Sequence, residues 1–192
     1  MITILATGIE ESGKDSILDM VLNGFKGDLL DFSYLKFDKI IKNLILKQKI
    51  TNLNSLKIEE FKKLQSSVNS EMERVLQREM KRNANIIINT GLVLKTVRGY
   101  FPLLTPEIFN TAKPDIIMLF EIATDKDHIS YIIQKEKYDM EDVLDRQIIN
   151  KRYALNYSSS LGCLLKVIKI EFGNLRAAIK ETKDFIEYVM RK

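Results

Sequence analysis

The sequence predicts an α/β fold of three layers, a five-stranded parallel sheet flanked by helices. Five short runs are dense in Ile, Val and Leu, the composition of strands buried on both faces. Charged segments with helical spacing separate them, and strand, helix, strand repeated in this way means right-handed crossovers onto a parallel sheet. The first run also passes directly into a glycine-bounded loop that opens a helix, which fixes where an anion would be held.

Taken in order, the apolar runs are 2–7, 28–32, 85–89, 115–120 and 164–170. The helical segments are 14–22, 34–49, 58–82, 105–112, 125–137, 140–161 and 175–190. Asp139, with Asp142 three residues on, is placed to cap the helix that begins at Met140, and Gly162 stands where that helix should stop. Pro114 precedes a strand, where a missing amide is tolerated. No internal repeat and no Gly/Ser/Pro-rich linker interrupts the chain, so residues 1–192 read as a single domain.

Composition narrows the function classes. A chain of 192 residues that is 45% hydrophobic can bury one core without disulfides or metal. Lys+Arg exceed Asp+Glu by only 30 to 26, and the net charge of +4 is spread along the chain. That balance suits small phosphates and is no footprint for nucleic acid. One cysteine, Cys163, and one histidine, His128, leave neither a disulfide framework nor a Cys/His metal site, which points to a cytoplasmic protein. No apolar stretch approaches the roughly 20 residues that span a bilayer, and the N-terminus has no leader pattern, so a soluble, unprocessed chain is expected. Cys163 reads as core, His128 as a surface or capping residue, and the mixed-charge run 57–82 as the solvated face of long helices.

The chemistry is carried by Gly8-Ile9-Glu10-Glu11-Ser12-Gly13-Lys14-Asp15-Ser16. Its glycines let backbone amides curl around an anion, the helix N-terminus adds partial positive charge, and Lys14 can bridge the outer phosphates of a nucleotide. The pattern alone is weak, but a strand before it, a helix after it and a parallel-sheet pattern behind it make it strong. Asp15 stands where a Ser or Thr usually binds Mg²⁺. A carboxylate is a hard ligand, so Asp15 can bind the metal itself, Ser16 can substitute from one position on, or the negative charge weakens triphosphate binding.

A second segment, Asn89 to Leu104, leaves the third strand. Groups at the carboxyl ends of neighbouring parallel strands face one crevice, so Thr90, Lys95 and Arg98 are placed to meet a second substrate beside the phosphate loop.

The chain resembles the archaeal-type adenylate kinases over nearly its whole length. The matching residues are Met1 to Gly8, Lys62-Lys-Leu-Gln65, Thr90 to Pro102 with Lys95-Thr96 and Gly99-Tyr100-x-Pro102, Pro114 to Glu121, and Asn150-Lys-Arg152-Tyr-Ala154. The resemblance implies reversible phosphoryl transfer, ATP and AMP to two ADP with Mg²⁺, in a P-loop kinase fold that is often trimeric. It implies that Gly8, Gly13 and Lys14 hold phosphate, that Thr90, Lys95, Arg98 and Tyr100 serve the monophosphate, and that Arg152 is catalytic beside Lys14. The chain departs from the family in three places. Asn89-Thr90-Gly91 replaces an acidic residue followed by Thr-His, Asn54 stands where an arginine grips the AMP phosphate, and the arginine-rich lid is reduced to about 134–139.

Arginines that neutralise the transferring group are worth 10³ to 10⁵ in rate. Lys14, Lys95 and Arg152 remain, with Lys135, Lys137 and Arg146 as further cations. Two readings follow: a nucleoside monophosphate kinase, or a catalytically degenerate nucleotide-binding module with a regulatory or partner-docking role.

Overall fold

A computed structural model describes residues 1–25, 32–52, 56–82, 85–97, 99–123, 140–171 and 174–191, with the side chains of Glu11 and Met140 excepted. Five parallel strands form one sheet in the order β2-β3-β1-β6-β7. They are β1 (Thr3–Gly8), β2 (Phe32–Lys36), β3 (Asn85–Asn89), β6 (Ile116–Ile122) and β7 (Leu164–Ile170). β1 lies at the centre, with Leu5 opposite Ile88 of β3 and Ile117 of β6. Every residue of β1 and β6 is buried, as expected of Ile/Leu-rich strands covered on both faces.

Helices close both faces. On one side α1 (Lys14–Gly24) packs with α6 (Leu175–Met190) around Ile17, Leu18, Phe25, Met118, Phe120 and Ile186. On the other, α2 (Phe37–Lys47), α3 (Ile58–Met80), α4 (Pro106–Ala112) and α5 (Met140–Leu161) cover Ile86, Ile88, Ile117 and Leu119 with Phe37, Met72, Leu76, Phe109 and Ala154. Gly162 takes a left-handed φ of +65°, ending α5 just before β7. Cys163, half-buried, packs against the α2–α5 core. Among the described residues no helix is long and apolar enough to cross a membrane.

Two features differ from expectation. The second strand is Phe32–Lys36, so Tyr34 to Lys36 are extended and α2 starts only at Phe37. Its partner decides this: Phe32 to Lys36 pair in register with Asn85 to Asn89. As an edge strand it is half-exposed along its whole length and lacks the continuous apolar run of the central strands. The segment after β3 folds as an antiparallel ribbon, β4 (Val93–Thr96) and β5 (Gly99–Pro102), with Lys95 opposite Tyr100. Leu103 N–H to Leu92 O (2.9 Å) closes its base. The expected 125–137 helix, Asp139, His128 and the short lid at 134–139 lie outside the described residues.

Leu76 is fully buried at the centre of the α3 contact with the sheet. Leu76→Ala should lower stability by about 2–5 kcal/mol through lost burial and a residual cavity. Urea unfolding should show a lower midpoint at an unchanged slope.

Candidate active site

Backbone close approach explains the first glycine of the phosphate loop. A Cβ on Gly8 would come within 2.8 Å of the Phe120 carbonyl oxygen and 3.1 Å of Ser12 Oγ, so only glycine lets β1 leave beside β6 at this point. After a short 3-10 turn, Glu10–Ser12, Gly13 adopts φ +76°, a left-handed conformation that starts α1 at Lys14. Ser12 Oγ donates to Ile9 O (2.8 Å) and accepts from Lys14 N (3.3 Å), which ties the turn to the helix start.

Lys14 is 2% exposed, and its ammonium would be costly there without partners. Asp15 Oδ1 accepts from Nζ at 2.7 Å, Asn89 Oδ1 accepts from it at the end of β3, and Asp38 Oδ2 lies 3.6 Å away in the first turn of α2. Asn89 Nδ2 in turn donates to Asp15 Oδ1 (3.0 Å) and to Tyr34 OH (2.9 Å). Burial acts to raise the Asp15 carboxyl, but the Lys14 charge and the hydrogen bonds from Lys14 and Asn89 outweigh it and hold it below its ordinary value. Asp38 goes the other way: burial raises it, and the Lys14 charge and the Gly91 amide pull back without cancelling. Tyr34 is also raised, chiefly by burial.

Asp38 joins the two halves of the site. Besides approaching Lys14, its Oδ1 accepts from Gly91 N (3.2 Å), on the loop that leads into the β4–β5 ribbon. Thr90 is fully buried, its amide donating to Ala6 O (3.1 Å) and its hydroxyl to Gly91 O (3.1 Å). Lys95 Nζ pairs with Asp142 of α5 and lies 5.8 Å from the Tyr100 ring centroid. Gln65 Nε2 donates to Pro102 O (2.7 Å), pinning the ribbon to α3.

α5 bridges the loops from behind. Asn150 Oδ1 accepts from Thr7 Oγ1 and from Leu92 N, each at 3.4 Å, joining the end of β1 to the ribbon. Gln147 pairs with both backbone groups of Ile122 (2.8 and 3.0 Å), and Val143 packs on Ile9 and Ile122. Arg152, two positions beyond Asn150 and about 200° round the helix, is exposed. Arg98, Asn54 and the Glu11 side chain lie outside what is described.

The residues thus gathered are Gly8, Ser12, Gly13, Lys14, Asp15 and Asn89, with Asp38, Tyr34 and Asn150 added to those the sequence pointed to. Asp38 and Tyr34 carry no motif of their own. The Asn150 segment is marked only by the match at 150–154. Glu10 points outward, its exposed carboxylate 3.1 Å from Lys42 Nζ.

No protein-family model matches the chain. It is 23% identical to the adenylate kinase of Methanocaldococcus jannaschii, over 96% of this chain and 97% of that one. It is 25% identical to the adenylate kinase of Pyrococcus abyssi over 98% and 97%, and 23% identical to that of Methanothermobacter thermautotrophicus over 97% and 100%. These matches run nearly end to end and bear out the resemblance to archaeal-type adenylate kinases. Among solved structures, dephospho-CoA kinase from Campylobacter jejuni superimposes with a TM-score of 0.57 at 14% identity, covering 98% of this chain and 97% of that one. That superposition supports the P-loop kinase fold.

The raised Asp38 carboxyl has a stability consequence. A proton binds Asp38 more tightly in the folded chain than in the unfolded one, so its ionisation costs stability above the folded pKa and costs nothing below the unfolded carboxylate range. Asp38→Asn, which keeps an acceptor for Gly91, should melt at a higher temperature than the parent at pH 7. The gap should close as the pH falls towards about 4. An equal or lower melting temperature at pH 7 would refute this account.

Proposed function

We propose that this chain transfers the terminal phosphoryl group of ATP to AMP or a related nucleoside monophosphate, giving two nucleoside diphosphates, with residues 1–192 acting as one domain. The observation that carries the reading is the convergence, at the carboxyl edge of β1 and β3, of a phosphate loop with a buried lysine and a separate ribbon bearing Lys95 and Tyr100. A donor loop and an acceptor element facing one crevice are what transfer between two nucleotides requires. Near end-to-end similarity to adenylate kinases supports the same reading.

In this mechanism the amides of residues 8–14 and the N-terminus of α1 hold the donor phosphates. The Lys14 ammonium turns from Asp15, Asn89 and Asp38 to the bridging and terminal phosphate oxygens, where charge grows as the leaving bond breaks. An oxygen of the acceptor phosphate attacks the terminal phosphorus in line, forming the new P–O bond as the bond to the departing ADP oxygen breaks. Burial of Lys14 strengthens its field, since little water competes there.

The donor set fits Mg²⁺. Asp15 is held ionised, its side chain is 58% exposed at the head of α1, and its Oδ1 is engaged by Lys14 and Asn89 while Oδ2 makes neither contact. Asp15 would hold the ion with the exposed Ser16 beside it, and Mg²⁺ when bound would neutralise phosphate oxygens.

A coupled assay with ATP-Mg²⁺ against AMP, CMP, UMP, GMP and dTMP should show diphosphate formation, fastest with one purine or pyrimidine monophosphate. Lys14→Met should lower kcat by about 10²–10³ or more. Absence of turnover above the Lys14→Met background, with ATP still bound, would instead favour the catalytically degenerate nucleotide-binding module.

A further inference from the structure

β2 closes the sheet on one side, and all five of its residues are half-buried. β3 takes one of its edges, in unbroken register from Phe32 with Asn85 to Lys36 with Asn89, and among the described residues no strand takes the other. Open edges are usually blunted by a proline, a bulge or a projecting lysine. Phe32 to Lys36 has no proline and no bulge, and its one lysine is drawn aside, Lys36 Nζ standing 2.6 Å from Asp19 Oδ1 on α1. The outer backbone groups of β2 are left for another strand to pair with.

A cavity of about 320 Å³ lies on this edge, and its wall includes Tyr34, Leu35 and Lys36 in succession. Successive residues of a strand point to opposite faces: Tyr34 packs with the α1 layer and Leu35 with the α2 and α3 layer. A cavity that touches all three must lie across the backbone edge between the layers, where a sixth strand would run. Phe37, Ile40 and Val75 give it an apolar floor, a seat for one aliphatic side chain of the segment that pairs there.

Charge selects the partner. Five of the chain's 30 Lys and Arg (Lys36, Lys39, Lys42, Lys47 and Lys49) fall within 36–49, against one of its 26 Asp and Glu, Asp38. The net charge of +4 is thus concentrated beside this edge, not spread evenly. Asp38 is occupied with Lys14 and the Gly91 amide, whereas Lys39, on the wall of the cavity, is exposed and has no ion-pair partner among the described residues. A strand edge alternates N–H donors with C=O acceptors and so takes another peptide backbone, whereas the backbone of a nucleic acid offers phosphate acceptors alone. A second copy of this chain would bring the same lysines together. We propose that the β2 edge docks an extended acidic segment of a partner protein. The segment adds a sixth strand to the sheet, sets an aliphatic side chain on Phe37, Ile40 and Val75, and meets Lys39 with a carboxylate. This does not depend on the phosphotransfer reading.

Fluorescence anisotropy of a short labelled peptide that alternates Glu with Val and Thr, titrated with the full chain, tests this. Submillimolar binding is expected, with the counterpart carrying Lys in place of Glu at least about tenfold weaker. Added salt should weaken the acidic peptide, since exposed charges carry part of the contact. Amide hydrogen exchange across residues 32–36 should slow when the peptide is bound. Lys39→Glu, at an exposed position that leaves the core untouched, should weaken the acidic peptide severalfold. Absence of binding, equal binding of the lysine peptide, binding that leaves exchange at 32–36 unchanged, or undiminished affinity in Lys39→Glu each overturns the docking site. So does protection of those amides by self-association of the chain without peptide, or tighter binding of polyuridylate than of the acidic peptide.

Discussion

The buried ammonium of Lys14 is the constraint around which the site is organised. A charge at 2% exposure would be expensive without partners, and its partners come from three separate elements: Asp15 at the start of α1, Asn89 at the end of β3 and Asp38 at the start of α2. For those groups to meet, β1 and β3 must be neighbours in parallel register and α2 must begin where β2 ends. The register of Ala6 with Asn89 and of Lys36 with Asn89 places both. A shift of one residue would turn Asn89 to the opposite face and leave the lysine without its amide partner.

The opposing charges also set the resting state of the loop. Asp15 and Asp38 both attract Lys14, yet burial drives the Asp38 carboxyl up while the lysine and Asn89 hold the Asp15 carboxyl down. Asp15 is therefore the firmer counter-ion, and Asp38 is the strained one, kept where it is by the Gly91 amide. Because Gly91 begins the passage into the β4–β5 ribbon, the electrostatics of the donor lysine are tied to the position of the acceptor element. Asn150 makes a second tie of the same kind, between Thr7 and Leu92, from the other side.

The parts of the fold legible in the sequence are those whose signal is local. β1, β3 and β6 are dense apolar runs because both faces are covered, β7 at the other edge still carries Leu, Val and Ile at five of its seven positions, and the phosphate loop is legible because strand, glycines, lysine and helix are contiguous. The second strand was misplaced because at the sheet's edge all five of its residues are only half-buried, so it needs no dense apolar run. Phe32-Ser-Tyr-Leu-Lys36 shows neither an apolar run nor a clean alternation, and its polar positions join smoothly to the helical spacing of α2. The ribbon has no clear strand signal in the sequence because its two strands of four residues bury little, and contacts with Gln65 and α5 hold it in place. Arg152 was singled out by a motif match, and only the phase of α5 shows that Asn150 turns inward while Arg152 is exposed.

By itself, then, the sequence determined that a parallel sheet carries a phosphate loop at Gly8 to Lys14, since backbone freedom at glycine and strand burial are written in neighbouring residues. What only the tertiary structure decided is which distant side chains share that loop's field. Asp38, Asn89 and Asn150 lie tens of residues apart, as do Lys95 and the Asp142 it pairs with, and no fixed spacing betrays those meetings. Their meeting depends on strand order and helix phase, which arise from packing the whole core at once.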